Sequence, residues 1–311
     1  MPEYHIPVLF EEVMEGLDLK SDGVYFDGTL GGGGHTGGIL ARTASAKVIA
    51  TDKDGEAIAA ATAKLNAYQG RFFPHRADFK EYARVLEEEG VDKLDGFLLD
   101  LGISSHQIDD EARGFSYLKE NAPLDMRMDL NSPLSAREVV NGYEEKGLKN
   151  LLKEYGEEQF ASSIARKIVA EREKGRIETC GQLKEIVESC YPAKLRTPAC
   201  ARKTFQAIRI EVNGELRGLR ECVQGLTRRL KIGGRGCVIT FHSLEDRIIK
   251  QVFAEMNTAC TCPKSFPVCV CGKKREVELI GRKPYTAGEE ELKQNTRSKS
   301  AKLRVVRKIS E

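Results

Sequence analysis

No stretch of the 311-residue sequence reaches the roughly 20 consecutive apolar residues that a membrane-spanning helix needs. The opening residues, MPEYHIPVLFEEV, carry acids where a secretory signal peptide has a basic region followed by an apolar run. The chain also has no large net charge of either sign, because 49 Lys and Arg nearly cancel 47 Asp and Glu. Overall charge therefore predicts no partner, and only local clusters of charge can do so. These absences predict a cytoplasmic protein without a membrane segment.

The sequence has no internal repeats, and its length predicts about two structural units. Strand and helix patterns alternate over the first hundred residues, which is typical of a parallel, doubly wound sheet in an α/β fold. The predicted strands there are Val24–Asp27, Lys47–Asp52, 71–75 and Leu94–Asp100. Long helical patterns then fill 107–209, including 147–173. The alternation resumes with a helix at 215–230, a strand at 236–241 and a helix at Ser243–Met256, and two β-rich runs follow. The polar stretch 285–300 is predicted to be a mobile loop.

A glycine-rich segment, DGTLGGGGH, follows the first predicted strand at residues 27–35. Glycine lets the backbone turn sharply and approach a ligand that a Cβ atom would push away. Asp52 ends the second predicted strand, where a carboxylate can accept hydrogen bonds from both hydroxyls of a ribose. The alternatives are a flexible loop for the glycines and a helix N-cap for Asp52, a cap that Asp54 can supply instead. Beyond the carboxyl ends of parallel strands, these residues predict a nucleotide-cofactor site.

Two cofactor classes fit these residues. Gly32, Gly34 and Gly37 satisfy G-x-G-x-x-G, and Asp52 lies about as far downstream as a nicotinamide-binding fingerprint requires. The segment DLGISS, which begins at Asp100 after the fourth predicted strand, adds an acid and two hydroxyls beside the same crevice. This favours a cofactor whose reactive group ends near a polar, amine-bearing substrate over hydride transfer.

His242 follows the strand 236–241 and is predicted to face the same crevice. Ser243 and Asp246 have the S-x-x-D spacing of a helix N-terminal cap, so we assign them to the cap. A lone histidine can equally have a structural role.

Seven segments resemble the ribosomal RNA small subunit methyltransferase H family, from the first residues to the last: DGTLGGGGH, LLDLGISSHQ, RGFSY, PLDMRMD, RKTFQAIRIEVNGEL, FHSLEDR and NTRSKSAKLRV. The resemblance implies transfer of methyl from S-adenosylmethionine to the N4 amine of a cytidine in the decoding site of 16S ribosomal RNA. It implies cofactor contacts for Gly33, Gly34, His35, Asp52, Phe79, Asp100 and Gln107. The helix and strand patterns predict an α/β domain at 1–106 and 210–311, which is then the methyltransferase domain, with 107–209 an inserted helical domain that is predicted to form a wall of the RNA cleft. Phe79 can stack on a base, although it fits a plain core position equally well.

The residue that orients the target amine is open. Many amino-methyltransferases carry Asn/Asp-Pro-Pro-aromatic after the fourth strand, whereas this chain has DLGISS. The candidate acceptors are Asp100, Asp125 and His242, of which Asp125 and His242 are the predicted catalytic residues. Asp125 is equally able to pair with Arg127.

Two basic runs predict RNA contact, with a solvated face as the alternative. The first spans 194–209 without an acid and contains Phe205 as a stacking platform; its cations are Lys194, Arg196, Arg202, Lys203 and Arg209. The second contains Arg228, Arg229, Lys231 and Arg235. Two rival functions remain at this point: a nicotinamide-dependent oxidoreductase, and an assembly factor that binds RNA without catalysis. The predicted partner is small-subunit ribosomal RNA, either alone or in the assembled small ribosomal subunit.

A cysteine-rich segment, CTCPKSFPVCVCG, contains Cys260, Cys262, Cys269 and Cys271. Thiolates at this density can bind zinc, yet the usual spacing is C-x-x-C and methyl transfer needs no metal. A redox-sensitive loop, or cysteines without a ligand, are the alternatives. We therefore assign no metal from the sequence.

Overall fold

The computed structural model describes residues 7–197, 199–263 and 268–311, and its central feature is a seven-stranded sheet. The strands are β1 (Val24–Asp27), β2 (Lys47–Asp52), β3 (Phe72–Arg76), β4 (Leu94–Asp100), β5 (Leu230–Thr240), β6 (Val277–Tyr285) and β7 (Lys302–Lys308). Their order across the sheet is β3-β2-β1-β4-β5-β7-β6. β1 to β5 are parallel, whereas β7 is antiparallel to both of its neighbours. The predicted α/β class with a mostly parallel, doubly wound sheet is therefore confirmed.

Helices connect these strands and fill the middle of the chain. They are α1 (Phe10–Leu17), α2 (Gly34–Arg42), α3 (Gly55–Lys64), α4 (Tyr82–Glu88), α5 (Ser105–Asp109), α6 (Ala136–Gly142), α7 (Glu145–Gly156), α8 (Ala161–Arg172), α9 (Cys180–Ser189), α10 (Arg202–Asn213), α11 (Leu219–Arg229), α12 (Ser243–Met256) and α13 (Glu289–Gln294). Among these described helices, none combines the length and apolar character that crossing a membrane requires.

The chain forms two compact units. The first runs to Gly102, resumes at Leu216 and contains the whole sheet, and the second comprises Ile103–Glu215. The sequence places the boundaries at 106/107 and 209/210. The second unit consists of α5 to α10 around its own apolar core. The only β structure among its described residues is an isolated bridge between Pro123 and Thr179. Its role as an RNA-binding wall stays a prediction.

Apolar side chains on both faces bury the sheet. Successive residues of β4 alternate, so that Phe97 and Leu99 join one cluster and Leu98 joins the other. This double burial explains why the LDGFLLD strand is nearly continuous in apolar residues. It also leaves the strand's final carboxylate, Asp100, at the carboxyl edge where a ligand can approach.

Three details differ from the sequence prediction. The pattern at 147–173 is not one helix, because Glu157 adopts a left-handed φ of 48° and separates α7 from α8. The stretch 285–300 is not an irregular loop: it contains α13 and a short 3₁₀ turn. Glu291 of α13 accepts a hydrogen bond from the Leu9 backbone at 2.8 Å, which fixes this segment. Finally, α1 was not predicted.

Candidate cofactor site

The glycine-rich turn after β1 is pinned to the two flanking strands. Gly28 N donates to Leu98 O at 2.9 Å, and Leu30 N donates to Thr51 O at 2.9 Å. A Cβ added at Gly28 would lie 2.4 Å from Leu99 Cδ2 and 2.8 Å from Phe79 Cβ, so this approach requires glycine. The same contact places the half-buried Phe79 beside the turn. The turn is thus a fixed surface rather than a flexible loop.

The turn leads directly into α2. Gly33 adopts a φ of 70° and caps that helix, and Gly34 and His35 form its first turn. Helix N-termini present unpaired N–H groups, which suit polar or anionic parts of a ligand. The local geometry at Gly33, Gly34 and His35 therefore suits the ligand contact that the sequence predicts there.

Asp52 ties the glycine turn to β2. Its Oδ2 accepts from Gly31 N at 2.8 Å and its Oδ1 accepts from Asp54 N at 2.9 Å. Asp54 caps α3 by accepting from Glu56 N at 3.0 Å, so the cap belongs to Asp54 and not to Asp52. Burial raises the pKa of Asp52. Each oxygen keeps a second lone pair, so the carboxylate can still accept from a ribose.

Asp100 is a buried acid with a strongly raised pKa at this edge of the sheet. Within the described residues its Oδ1 is buried and has no hydrogen-bond partner. Burial, and then the nearby carboxylates of Asp27 and Glu245, raise its pKa to about 8. Asp27, which accepts from Thr36 Oγ1 at 2.6 Å, has its pKa raised to about 6, mainly by burial. Buried acids that repel one another fit a cationic ligand.

His35 lies beside Asp100 without forming an ion pair. Burial lowers the pKa of His35 to about 4, so the imidazole is neutral at physiological pH. Its Nε2 is 3.1 Å from Val8 O, whereas its Nδ1 is 3.8 Å from Asp100 Oδ2, beyond hydrogen-bond distance. His35 therefore supplies no positive charge to stabilise the ionised form of Asp100.

His242 is the N-cap of α12. Its Nδ1 accepts from Glu245 N at 3.4 Å, and its Nε2 lies 3.1 Å from Glu245 Oε1. The cap predicted for Ser243 and Asp246 is wrong, because Asp246 instead pairs with Arg304 at 2.8 Å. His242 also lines a cavity of about 260 Å³ at the carboxyl end of β5, together with Phe241, Lys299 and Lys302 among others. Glu245 was not predicted as part of this cap, although H-x-x-E has the spacing of a capping box.

Asp125 and Gln107 belong to the second unit. Asp125 forms a two-pronged ion pair with Arg127, with Oδ1–Nε at 3.0 Å and Oδ2–Nη2 at 2.7 Å. The salt-bridge alternative is therefore what the structure shows. Gln107 is buried in α5, where its Oε1 accepts from Ser104 N at 3.1 Å. Its predicted cofactor contact, like the catalytic role of Asp125, stays a prediction.

The two basic runs differ in the structure. In the first, Lys194, Arg196, Arg202 and Lys203 are exposed. Arg209, however, pairs with Glu215 at 2.8 Å. Phe205 is 3% exposed and packs edge-on against Tyr117, so its prediction as a stacking platform is wrong. α10 turns that ring into the core.

Each cation of the second run pairs with a carboxylate of the first unit. The pairs are Arg228–Glu276, Arg229–Asp92, Lys231–Asp95 and Arg235–Asp18. These ion pairs offset charge of the second run, and its predicted RNA contact stays a prediction. The first run, with four exposed cations, is the stronger candidate for a phosphate-binding surface.

The fold and the site are together typical of an enzyme that binds a nucleoside-containing, cationic cofactor. The sheet is doubly wound and its glycine turn is fixed. A carboxylate follows β2, and buried acids follow β1 and β4. The model of the MraW methylase family matches residues 3–309. Ribosomal RNA small subunit methyltransferase H of Clostridium botulinum (strain Kyoto / Type A2) is 50% identical over 307 residues, which cover 98% of this chain and 99% of the relative. The protein of the same name from Geobacter sp. (strain M21) is 50% identical over 309 residues, with coverage of 98% and 99%.

This chain belongs to the MraW methylase family. The resemblance predicted from its seven segments is confirmed, and so is S-adenosylmethionine as the cofactor. Membership in a methylase family also removes the support for a nicotinamide-dependent oxidoreductase.

Proposed function

We propose that this protein methylates small-subunit ribosomal RNA, at the N4 amine of a cytidine in the decoding site. The observation that carries the proposal is identity of 50% along nearly the whole chain to relatives named ribosomal RNA small subunit methyltransferase H. The exposed cations of the first basic run add a surface that suits phosphates. With ribosomal RNA as the substrate, the protein acts in the cytoplasm.

The residues at the edge of the sheet fit S-adenosylmethionine. When bound, this cofactor supplies an electrophilic methyl group on a sulfonium. We assign Asp52 to its ribose, Gly33, Gly34 and His35 to the surface beneath it, and Phe79 to its adenine. Asp100 would accept a hydrogen bond from its cationic portion, which relieves the unpaired Oδ1. Gln107 completes this set in the proposal.

Methyl transfer to a cytosine amine requires an acceptor for its N–H groups. A carbon–nitrogen bond forms, the carbon–sulfur bond breaks, and the amine loses a proton to water. His242 and Asp125 are the proposed acceptors. Both oxygens of Asp125 contact Arg127, whereas His242 Nε2, which lies 3.1 Å from Glu245 Oε1, forms no hydrogen bond among the described residues. Asp100 is the next candidate when the acceptor is not one of those two, and its Oδ1 would then serve the amine in place of the cofactor.

Transfer of labelled methyl tests the function. Small ribosomal subunits and deproteinised 16S RNA, both from cells that lack the protein, are incubated with enzyme and labelled S-adenosylmethionine, and the RNA is digested to nucleosides. We expect label in N4-methylcytidine. Label in another nucleoside would refute the position. Stoichiometric binding without label would instead favour an assembly factor that does not catalyse. Comparing the two substrates also shows which form of the RNA is recognised.

Replacing Asp52 by Ala should weaken binding of S-adenosylhomocysteine by about tenfold or more, because charge-assisted hydrogen bonds contribute about 1.5–3 kcal/mol each. Titration calorimetry measures the change, and circular dichroism checks the fold. Asp54→Ala is the matched control: it removes an acid two residues away that caps α3 but faces no proposed ligand. Equal affinities for the two variants would remove Asp52 from the site.

Neutralising the exposed pair Arg202 and Lys203 with Gln should weaken RNA binding and flatten its dependence on salt. We expect the slope of log affinity against log salt to fall by about one unit for each phosphate that the protein no longer neutralises. Lys167→Gln with Lys174→Gln is the control, because both lysines already lie beside Glu171. Filter binding at several salt concentrations measures both slopes. Identical slopes would mean that Arg202 and Lys203 only face solvent.

A further inference from the structure

The loop between α12 and β6 holds four cysteines that the methyl-transfer site does not use. We call residues 258–275 the cysteine loop. Its base is closed by a hydrogen bond from Glu276 N to Met256 O at 2.9 Å and one from Arg275 Nε to Asn257 Oδ1 at 2.8 Å. The described residues of this loop contain no helix or strand. Its thiols are Cys260, Cys262, Cys269 and Cys271.

The four sulfur atoms converge on one point. All lie within 4.8 Å of one another. Cys269 Sγ lies 3.4 Å from Cys260 Sγ, 3.6 Å from Cys271 Sγ and 4.0 Å from Cys262 Sγ. Cys271 Sγ lies 3.8 Å from Cys260 Sγ. Tetrahedral zinc with Zn–S bonds of about 2.3 Å separates its sulfurs by about 3.7–3.8 Å, which matches this cluster.

Neither burial nor disulfide bonding explains the convergence. Three of the four cysteines are exposed, whereas the chain's other cysteines are buried or half-buried. A disulfide would bring two sulfurs to about 2.05 Å, far closer than any of these distances. The short C-x-C spacing is no obstacle, because Cys269 and Cys271 already place both sulfurs on the same side of the backbone.

The surroundings of the sulfurs suit thiolates. Three backbone N–H groups donate to them: Thr261 N to Cys271 at 3.4 Å, Cys262 N to Cys260 at 3.4 Å and Val270 N to Cys262 at 3.3 Å. Hydrogen bonds of this kind orient metal ligands and stabilise their charge. A zinc ion with four thiolates carries two surplus negative charges. The basic run Lys273, Lys274 and Arg275 begins two residues after the last cysteine and offsets them.

We infer that the cysteine loop binds one zinc ion through its four thiolates. Four protein ligands leave no open coordination position, so the ion is structural and does not activate water or substrate. Its effect is to tie Cys260 and Cys262 to Cys269 and Cys271 in a loop whose base is already closed by hydrogen bonds. The inference is independent of which RNA base the enzyme methylates.

Metal analysis of the full-length protein, purified under reducing conditions without chelator, tests the inference. We expect about one zinc per chain, and a loss of about tenfold or more in Cys269→Ser Cys271→Ser. The control Cys190→Ala Cys200→Ala removes two thiols outside the loop and should keep its zinc. A protein without zinc that also takes none from a zinc–pyridylazoresorcinol mixture overturns the inference. An intact-chain mass that is lower by two hydrogens for each cysteine pair would also overturn it, because that mass would show disulfides.

Limited trypsin digestion gives a second measurement that does not depend on the variants folding. Removing zinc from the wild-type protein with a strong chelator should speed cleavage after Lys273 and Lys274 by about tenfold, because local opening exposes the loop. Restoring zinc alone should reverse the effect. Cleavage at the same rate with and without zinc would contradict a structural ion in this loop.

Discussion

Asp100→Asn is expected to weaken cofactor binding by about tenfold to a hundredfold, the equivalent of a charge-assisted hydrogen bond of about 1.5–3 kcal/mol. The reason is the state of this side chain without ligand. Its Oδ1 is buried and unpaired among the described residues, and Asp27 and Glu245 add repulsion. A cationic ligand relieves both costs, and the amide of Asn cannot replace the charge.

The same residue should make binding depend on pH. The pKa of Asp100 is raised to about 8, so below that pH the carboxyl is protonated and binding of a cation must displace the proton. Affinity for S-adenosylmethionine should therefore rise by up to about tenfold per pH unit toward pH 8 and level off above it. Asp100→Asn should abolish this dependence. Calorimetry at pH 6, 7, 8 and 9 would show a flat wild-type profile if Asp100 does not face the cofactor.

Stability separates lost binding from lost folding. Because the pKa of Asp100 is higher in the folded protein than in the unfolded chain, ionisation of this carboxyl opposes folding. Its contribution to the free energy of unfolding therefore falls as the pH rises from the pKa of the unfolded chain to the folded value of about 8. Asp100→Asn should hence be at least as stable as the wild type at pH 9. Asp92→Asn, an exposed acid just before β4, is the charge-matched control and should bind normally. His242→Asn, which keeps an N-cap, and Asp125→Asn should also retain cofactor affinity.

The sheet and its glycine turn were predictable because their signals are local. A continuous apolar run marks β4, and glycines between a strand and a helix mark the turn. The helix cap was misplaced by one residue because Ser243 is a favoured N-cap type, whereas His242 is not. Only the side-chain geometry shows that His242 accepts from Glu245 N.

The charge pairs depend on the fold and not on local sequence. Lys231 lies 136 positions from Asp95 and pairs with it across neighbouring strands β4 and β5. The local sequence of a basic run therefore does not show which acids the fold places beside it, and the ion pairs of the second run could not be predicted. Phe205 differs, since Thr204, Phe205 and Ile208 are all buried on one face of α10. The helical spacing of these residues indicates that Phe205 is buried. The prediction that it stacks on a base relied instead on the basic composition of the run.

Gly114→Ala should destabilise the second unit by about 2–5 kcal/mol. Gly114 adopts a φ of 65°, which costs other residues about 1–2 kcal/mol, and overpacking adds about 1–3 kcal/mol. A Cβ at Gly114 would lie 2.0 Å from Pro123 O and 3.0 Å from Asp125 N. These are backbone atoms that cannot rotate away, because the isolated bridge to Thr179 holds Pro123.

The damage should spread to the segment that carries Asp125. Met126 N donates to Arg113 O at 3.0 Å, so a shift at Gly114 moves the ion pair of Asp125 with Arg127. Hydrogen exchange of the amides at 113–127 and urea unfolding measure the effect. Gly142→Ala is the control: its added Cβ meets nothing within 4 Å, and it should be neutral or stabilising by up to about 1 kcal/mol. If both variants unfold at the same urea concentration, the contact between Gly114 and Pro123 does not constrain this unit.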